Sequence, residues 1–276
     1  MICAMTAEAE YKNPRNDVRP VEELVRVALT EIDEEAAWEP VAVLHFRGNR
    51  EVLEVASDLC GSPVSKERRL GAAILGQLGV PDRTFPSESF DILSELLEKE
   101  TDPDVLSSIG VALGHLKDPR AIERMVKFKN HASADVRFGV VLGISGYEDD
   151  LASRTLIELS RDEDEEVRDW ATFGLGTLTN SDTTEIRDAL FARLSDSHDN
   201  TRGEALFGLA KRHDSRVIEP LLKQLSLRNV GRLLLEAAEA IGDSRLYPAL
   251  SSLKPSEYDG SDAILLADAL AKCKPQ

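Results

Sequence analysis

A short pattern recurs along the chain about every 31 residues: an acidic or polar residue, then Val, Arg and a run of small residues ending in Leu-Gly. Its clearest copies begin at Asp104-Val105, Asp135-Val136-Arg137, Glu166-Val167-Arg168 and Asn200-Thr201-Arg202. Self-similarity at that period is the signature of a solenoid, a stack of units in which none buries its apolar face alone and each closes the core of the next. A helix pair is the unit that fits the length and the small-residue runs.

With the Val of the pattern as position zero, position four holds Ile109, Val140, Ala171 and Ala205. Position seven holds Ala112, Gly143, Gly174 and Gly208, and position eight holds Leu113, Ile144, Leu175 and Leu209. These positions share one face of a 3.6-residue helix, which predicts the buried stripe of the first helix of each unit. Small residues at position seven let another helix approach closely, which offsets the roughly 1 kcal/mol that each mid-helix glycine costs.

The second helix of each unit is expected to start at Asp118-Pro119-Arg120-Ala121-Ile122, Asp214-Ser215-Arg216-Val217-Ile218 and Asp243-Ser244-Arg245-Leu246-Tyr247. Asp caps the free amides of a first turn, and Pro at the next position has no amide to lose there. Val217, Ile218, Leu221, Leu222 and Leu225 supply its inner stripe. Weaker copies place unit starts at 35, 67, 105, 136, 167, 201, 230 and 262, with one expanded spacing of 38 residues. A leading helix over about Val21 to Ile32 closes the N-terminal end, and Lys272 and Lys274 give the last half-unit a polar finish.

Asp135-Val136-Arg137, Glu166-Val167-Arg168 and Asp118-Pro119-Arg120-Ala121-Ile122-Glu123 resemble the short bacterial HEAT repeats also found in phycobilisome lyases. The stretch from Val167-Arg168-Asp169-Trp170-Ala171 through Asn180-Ser181-Asp182 to Glu185-Ile186-Arg187-Asp188 resembles YibA-type HEAT-repeat proteins. The resemblance runs from residue 20 to the end and implies an all-α, right-handed α-solenoid of about seven to eight short helix-pair repeats. Asn13-Pro14 blocks helix near the start, so a flexible tail is expected at 1–18 and one solenoid over 19–276. The resemblance further implies an interaction module, since some such proteins are linked to toxin loci as immunity factors.

Fifty acids against 33 bases give a net charge of −17, a field that repels phosphate backbones and disfavours nucleic acid. No apolar run reaches the roughly 20 residues of a membrane span. Cys3, Cys60 and Cys273 form no Cys-x-x-Cys pair, and the N-terminus lacks an apolar signal segment, so a reduced, cytoplasmic setting is expected.

Motifs for chemistry are missing: there is no P-loop, no Gly-x-Ser-x-Gly elbow and no His-Glu-x-x-His helix. HEAT-type deoxyhypusine hydroxylases hold iron through repeated His-Glu pairs near the start of the first helix. The matching positions here are Ser107-Ser108, Phe138-Gly139, Asp169-Trp170 and Gly203-Glu204, so that resemblance fails at its active site. The acidic run Asp162 to Glu166 lacks the glycine and terminal Glu of an EF-hand loop and reads as a solvated turn before a helix. His198 has no second His near it in sequence. Arg137, Arg168 and Arg202 recur one residue after position zero and are expected to form a ladder with acids at the start of neighbouring helices, for instance Asp135 and Glu166. Catalytic residues, cofactors and metals are therefore not expected.

Position six faces away from the stripe, yet it reads Val41, Ala73, Val111, Leu142, Phe173 and Phe207 before turning to Glu236 and Asp268. Trp38 and Trp170 lie one turn away, at position three. The candidate protein-binding ridge is thus Trp38, Val41, Val111, Leu142, Trp170, Phe173 and Phe207, in competition with burial of the same residues between units. A second candidate is Phe85, presented by the expanded loop Val80 to Ser87 with its two prolines. The expected function is a non-enzymatic scaffold or adaptor for a protein partner, with a basic one favoured by charge and an immunity-type masking role as its narrower form. The alternative is a bilin-lyase-like or chaperone-like enzyme subunit.

Overall fold

In a computed structural model the described residues are 14–227, 230–255 and 258–275. All regular structure among them is helical, and the chain divides into two compact units, residues 1–118 and 119–276. The first unit holds α1 (Val21–Thr30), α2 (Glu34–Arg47), α3 (Arg50–Cys60), α4 (Ser65–Gln77), α5 (Pro86–Lys99) and α6 (Pro103–Leu116). The second holds α7 (Ala121–Met125), α8 (Ala134–Ile144), α9 (Asp150–Leu159), α10 (Glu165–Phe173), α11 (Thr184–Arg193), α12 (Asp199–Lys211), α13 (Ile218–Leu225), α14 (Arg232–Ile241), α15 (Tyr247–Ser252) and α16 (Gly260–Cys273).

Within each unit even-numbered helices pack on even-numbered ones and odd on odd, and each even helix also packs on the odd helix before it. The result is the two-layered stack of an α-solenoid. The even helices are the ones that carry the repeat pattern. Its stripe is buried as the 3.6 period demands: Val105, Ile109 and Leu113, then Val136, Val140 and Ile144, then Val167, Ala171 and Leu175, then Thr201, Ala205 and Leu209. Position seven works as a contact point. A Cβ on Gly208 would lie 2.6 Å from the Cα of Gly176, so the backbones of α12 and the π-helical turn Gly174–Leu178 after α10 touch directly.

Helix starts follow the capping rules, with two adjustments. Asp33, Asp102, Asp149 and Asp164 each accept from a first-turn amide. Asp214 and Asp243 also cap, accepting from Arg216 and Arg245, but what they start is a single 3-10 turn, Ser215–Val217 or Ser244–Leu246. The α-helix begins one turn later than the sequence suggests. The segment after Asp118 departs further, for α7 spans only Ala121–Met125 before a 3-10 turn, Val126–Phe128.

Residues 1–13 of the expected tail lie outside the described residues. Its last part is held: Arg19 pairs with Asp17 at 2.6 Å and Glu39 at 2.7 Å, and Arg47 donates to the carbonyl of Arg19 at 2.8 Å.

Candidate binding surface

The recurring arginines form the expected ladder but on other partners. Arg137 grips Asp162 with two bonds of 2.7 Å, and Arg168 grips Asp196 at 2.8 and 3.2 Å. Each acid sits in the turn just before the neighbouring even helix, a few residues ahead of the helix-start positions at which Asp135 and Glu166 stand. Arg202 pairs with Asp199 and donates to the carbonyls of Asp196 and Ser197. In the first unit Arg68 and Glu100 make the same rung, at 2.7 Å. These guanidiniums are spent on the turns between repeats and leave no row of free cations. Asp162, read above as part of a solvated turn, is buried against Arg137. Burial pushes its carboxyl up, but the Arg137 fork and the amide of Asp164 outweigh that and hold it below the ordinary range.

Positions three and six of the even helices are open to solvent only in part: Trp38 and Trp170 are exposed, whereas Leu70 and Glu204 are buried. In the first unit Trp38 on α2 is half exposed and stands edge-on to His45 at 5.8 Å. His45 is buried, bonds the carbonyl of Ala73 at 2.9 Å, and has its pKa pushed down to about 4 by burial. Val41 corrects the ridge: at 3% exposure it belongs to the core, because α2 packs on both α1 and α4 there. Val111 on α6 is half-buried.

Phe85 is also held in place. It stands at the start of α5 with a left-handed backbone (φ 53°), and the Arg50 guanidinium lies 4.2 Å over its ring. Arg50 is fixed in turn by Glu88 at 2.6 and 3.0 Å. The loop before it is pinned by Thr84, whose hydroxyl donates to Gly48 at 2.6 Å. Phe85 and the position-six residues occupy different places in the first unit.

The second unit brings more of the ridge together. Trp170 on α10, 38% exposed, meets Phe173 edge-on at 5.6 Å and Phe138 of α8 edge-on at 5.8 Å. Leu142 on α8 is half-buried. Phe173 and Phe207 line an open hollow of about 580 Å³ between α10, α12 and α14, together with Glu204, Leu233 and Arg232. Glu204 is nine-tenths buried, and one of its oxygens accepts from the Thr177 hydroxyl at 2.7 Å. Burial, then Asp169 and Glu236, push its pKa up. Asp169 is positioned by the Thr201 hydroxyl at 2.9 Å, itself bonded to His198 Nδ1 at 3.0 Å.

Phe138, Asp169 and Glu204 were not among the sequence candidates, although they occupy positions two and three of the same register as Trp170. Following position three through all copies would have found Glu204. Among the described residues no group of three or more His, Cys, Asp and Glu side chains could hold a metal ion, and no helix is long and apolar enough to cross a membrane.

Residues 90–176 match the family of HEAT repeats. Over 238 residues the chain is 27% identical to Protein YibA of Escherichia coli (strain K12), covering 84% of this chain and 83% of that one. The X-ray structure of E. coli YibA superposes with a TM-score of 0.74 at 26% identity, covering 94% and 93% of the two chains. The crystal structure of an engineered protein superposes at 0.56, with 19% identity over 93% of this chain and 79% of that one, a likeness of fold alone.

Proposed function

We propose that this chain, an all-α solenoid built of HEAT repeats and similar to YibA, is a non-catalytic scaffold that binds a protein through the exposed aromatic surface around Trp170. The observation that carries the reading is the Trp170 cluster: three aromatic side chains from two helices meet edge to face, and the central indole is left to solvent. Aromatic anchors of this kind commonly carry interface energy, and burying each would contribute roughly 1.5–3 kcal/mol. The net charge of −17 favours a basic partner and speeds its approach. A cytoplasmic setting accords with the free thiols of Cys60 and Cys273, which burial pushes up to about 12 and about 11.

The test is affinity capture from host lysate by wild type and by Trp170→Ser, after circular dichroism shows equal helicity. A protein held by wild type and lost by the folded variant supports the reading. Equal capture by both would move the interface off the Trp170 cluster.

A further inference from the structure

Beside the Trp170 cluster lies a feature that a flat hydrophobic contact does not require. Glu204 stands nine-tenths buried in the hollow between α10, α12 and α14, and no lysine or arginine among the described residues pairs with it. The Thr177 hydroxyl satisfies one oxygen, while a carboxylate has about four acceptor sites. A buried charge without a countercharge is destabilising, and here Asp169 and Glu236 add repulsion to burial. The one cation at the rim, Arg232, is taken by Glu236 at 2.8 Å.

The walls are of the opposite character. Phe173, Phe207 and Leu233 line the same hollow with apolar surface. An open hollow that joins apolar lining to a buried anion complements a side chain with an aliphatic stem and a cationic head. Aromatic faces add to the attraction for the head and favour a guanidinium over an ammonium. A phosphate or carboxylate ligand would meet three acids and is excluded on charge.

We infer that this hollow receives one arginine or lysine side chain from a basic protein segment, with Glu204 taking the cationic head and Phe173 and Phe207 the stem. The inference rests on the scaffold reading and adds to it the residue chemistry of the partner. It makes the Trp170 cluster the neighbouring contact for the flanking residues of the same segment.

The probe is acetyl-arginine-amide, with acetyl-citrulline-amide as its uncharged isostere, followed by the NMR shifts of Thr177, Leu233 and Phe207. Saturable shifts confined to the hollow are expected with the arginine compound, and binding at least tenfold weaker is expected with citrulline or in Glu204→Gln. Glu204→Gln removes the charge but keeps the Thr177 bond, and it relieves a destabilising group, so it remains folded. Equal binding of the two compounds, equal binding by the variant, or no saturation by about 50 mM would overturn the inference. Affinity capture separates it from the scaffold reading. A partner that is lost with Trp170→Ser but held equally by Glu204→Gln overturns the cation site and leaves the scaffold standing. Saturation of the hollow together with a partner held equally by wild type and Trp170→Ser upholds the site and moves the scaffold interface off the Trp170 cluster.

Discussion

Arg137 holds Asp162, 25 residues away, through two hydrogen bonds of 2.7 Å, with both side chains almost fully buried. The guanidinium also donates to the carbonyls of His131 and Ala132 at 2.9 and 3.2 Å, so one side chain ties the turn before its own helix to the turn before the next. Arg168 and Asp196 repeat the arrangement one unit on. The repeat is therefore stitched at its turns by charge as well as packed along its helices.

Removing one partner leaves the other charge buried alone. Asp162→Asn should cost about 3 kcal/mol, read as a shift of the chemical-denaturation midpoint. Glu95→Gln, which breaks the fully exposed pair with Lys99, should shift the midpoint far less and serves as the control. Equal shifts would show that the ladder adds no more than a surface pair.

The pH dependence has two opposed parts. Asp162 and Asp196 are raised by burial but lowered further by their arginines and turn amides, so both end below the ordinary carboxylate range. Their contribution is complete above the unfolded value of about 3.9 and is lost as pH falls through the lower folded value. Glu204 runs the other way: its raised pKa means the folded state favours the protonated form, so its carboxylate destabilises at neutral pH. Glu204→Gln should therefore melt higher than wild type at about pH 7, and the gap should narrow as the pH is lowered. A variant that melts lower at neutral pH would contradict the buried, unpaired state of this group.

Arg212 closes the end of α12 and the π-helical turn after α10. It is 6% exposed and donates to the carbonyls of Leu175 (2.8 Å), Ser181 (2.8 Å), Gly208 (2.9 Å), Thr179 (3.2 Å) and Gly176 (3.3 Å). Helix C-terminal carbonyls favour a cation, which here satisfies groups that water cannot reach. Arg212→Met should destabilise by about 3 kcal/mol, and Arg212→Lys should recover only part because an ammonium cannot span all five oxygens. Denaturation midpoints of the two variants check the order.

Gly208→Ala sets propensity against packing. Alanine would favour the helix by about 1 kcal/mol, but its Cβ would fall 2.6 Å from the Cα of Gly176 and 3.0 Å from a Leu190 methyl. Overpacking against backbone costs about 1–3 kcal/mol, so a net loss of stability is expected. A gain in melting temperature would mean that α12 can move away freely.

Where the sequence was read well, the reason is local. Val167, Ala171 and Leu175 lie within two turns of one helix, so their period alone places them on one buried face. The period of α2 leaves Val41 between ridge and core, because its burial depends on how α2 lies against both α1 and α4. The arginine ladder was half legible: repetition showed that Arg137 and Arg168 do the same job, and only the fold showed on which acids.

Spacing along the chain suffices for the all-α repeat, the register of the buried stripe and the small residues at helix contacts. Each of these follows from spacing within a single helix or between identical copies. The tertiary structure decided the pairing of Arg137 with Asp162, the meeting of Phe138 with Trp170, the five carbonyls gathered on Arg212 and the hollow over Glu204. All four depend on the distance and angle at which helices about thirty residues apart come to rest. That geometry is set by side-chain volume summed over a whole interface, so no single helix carries it.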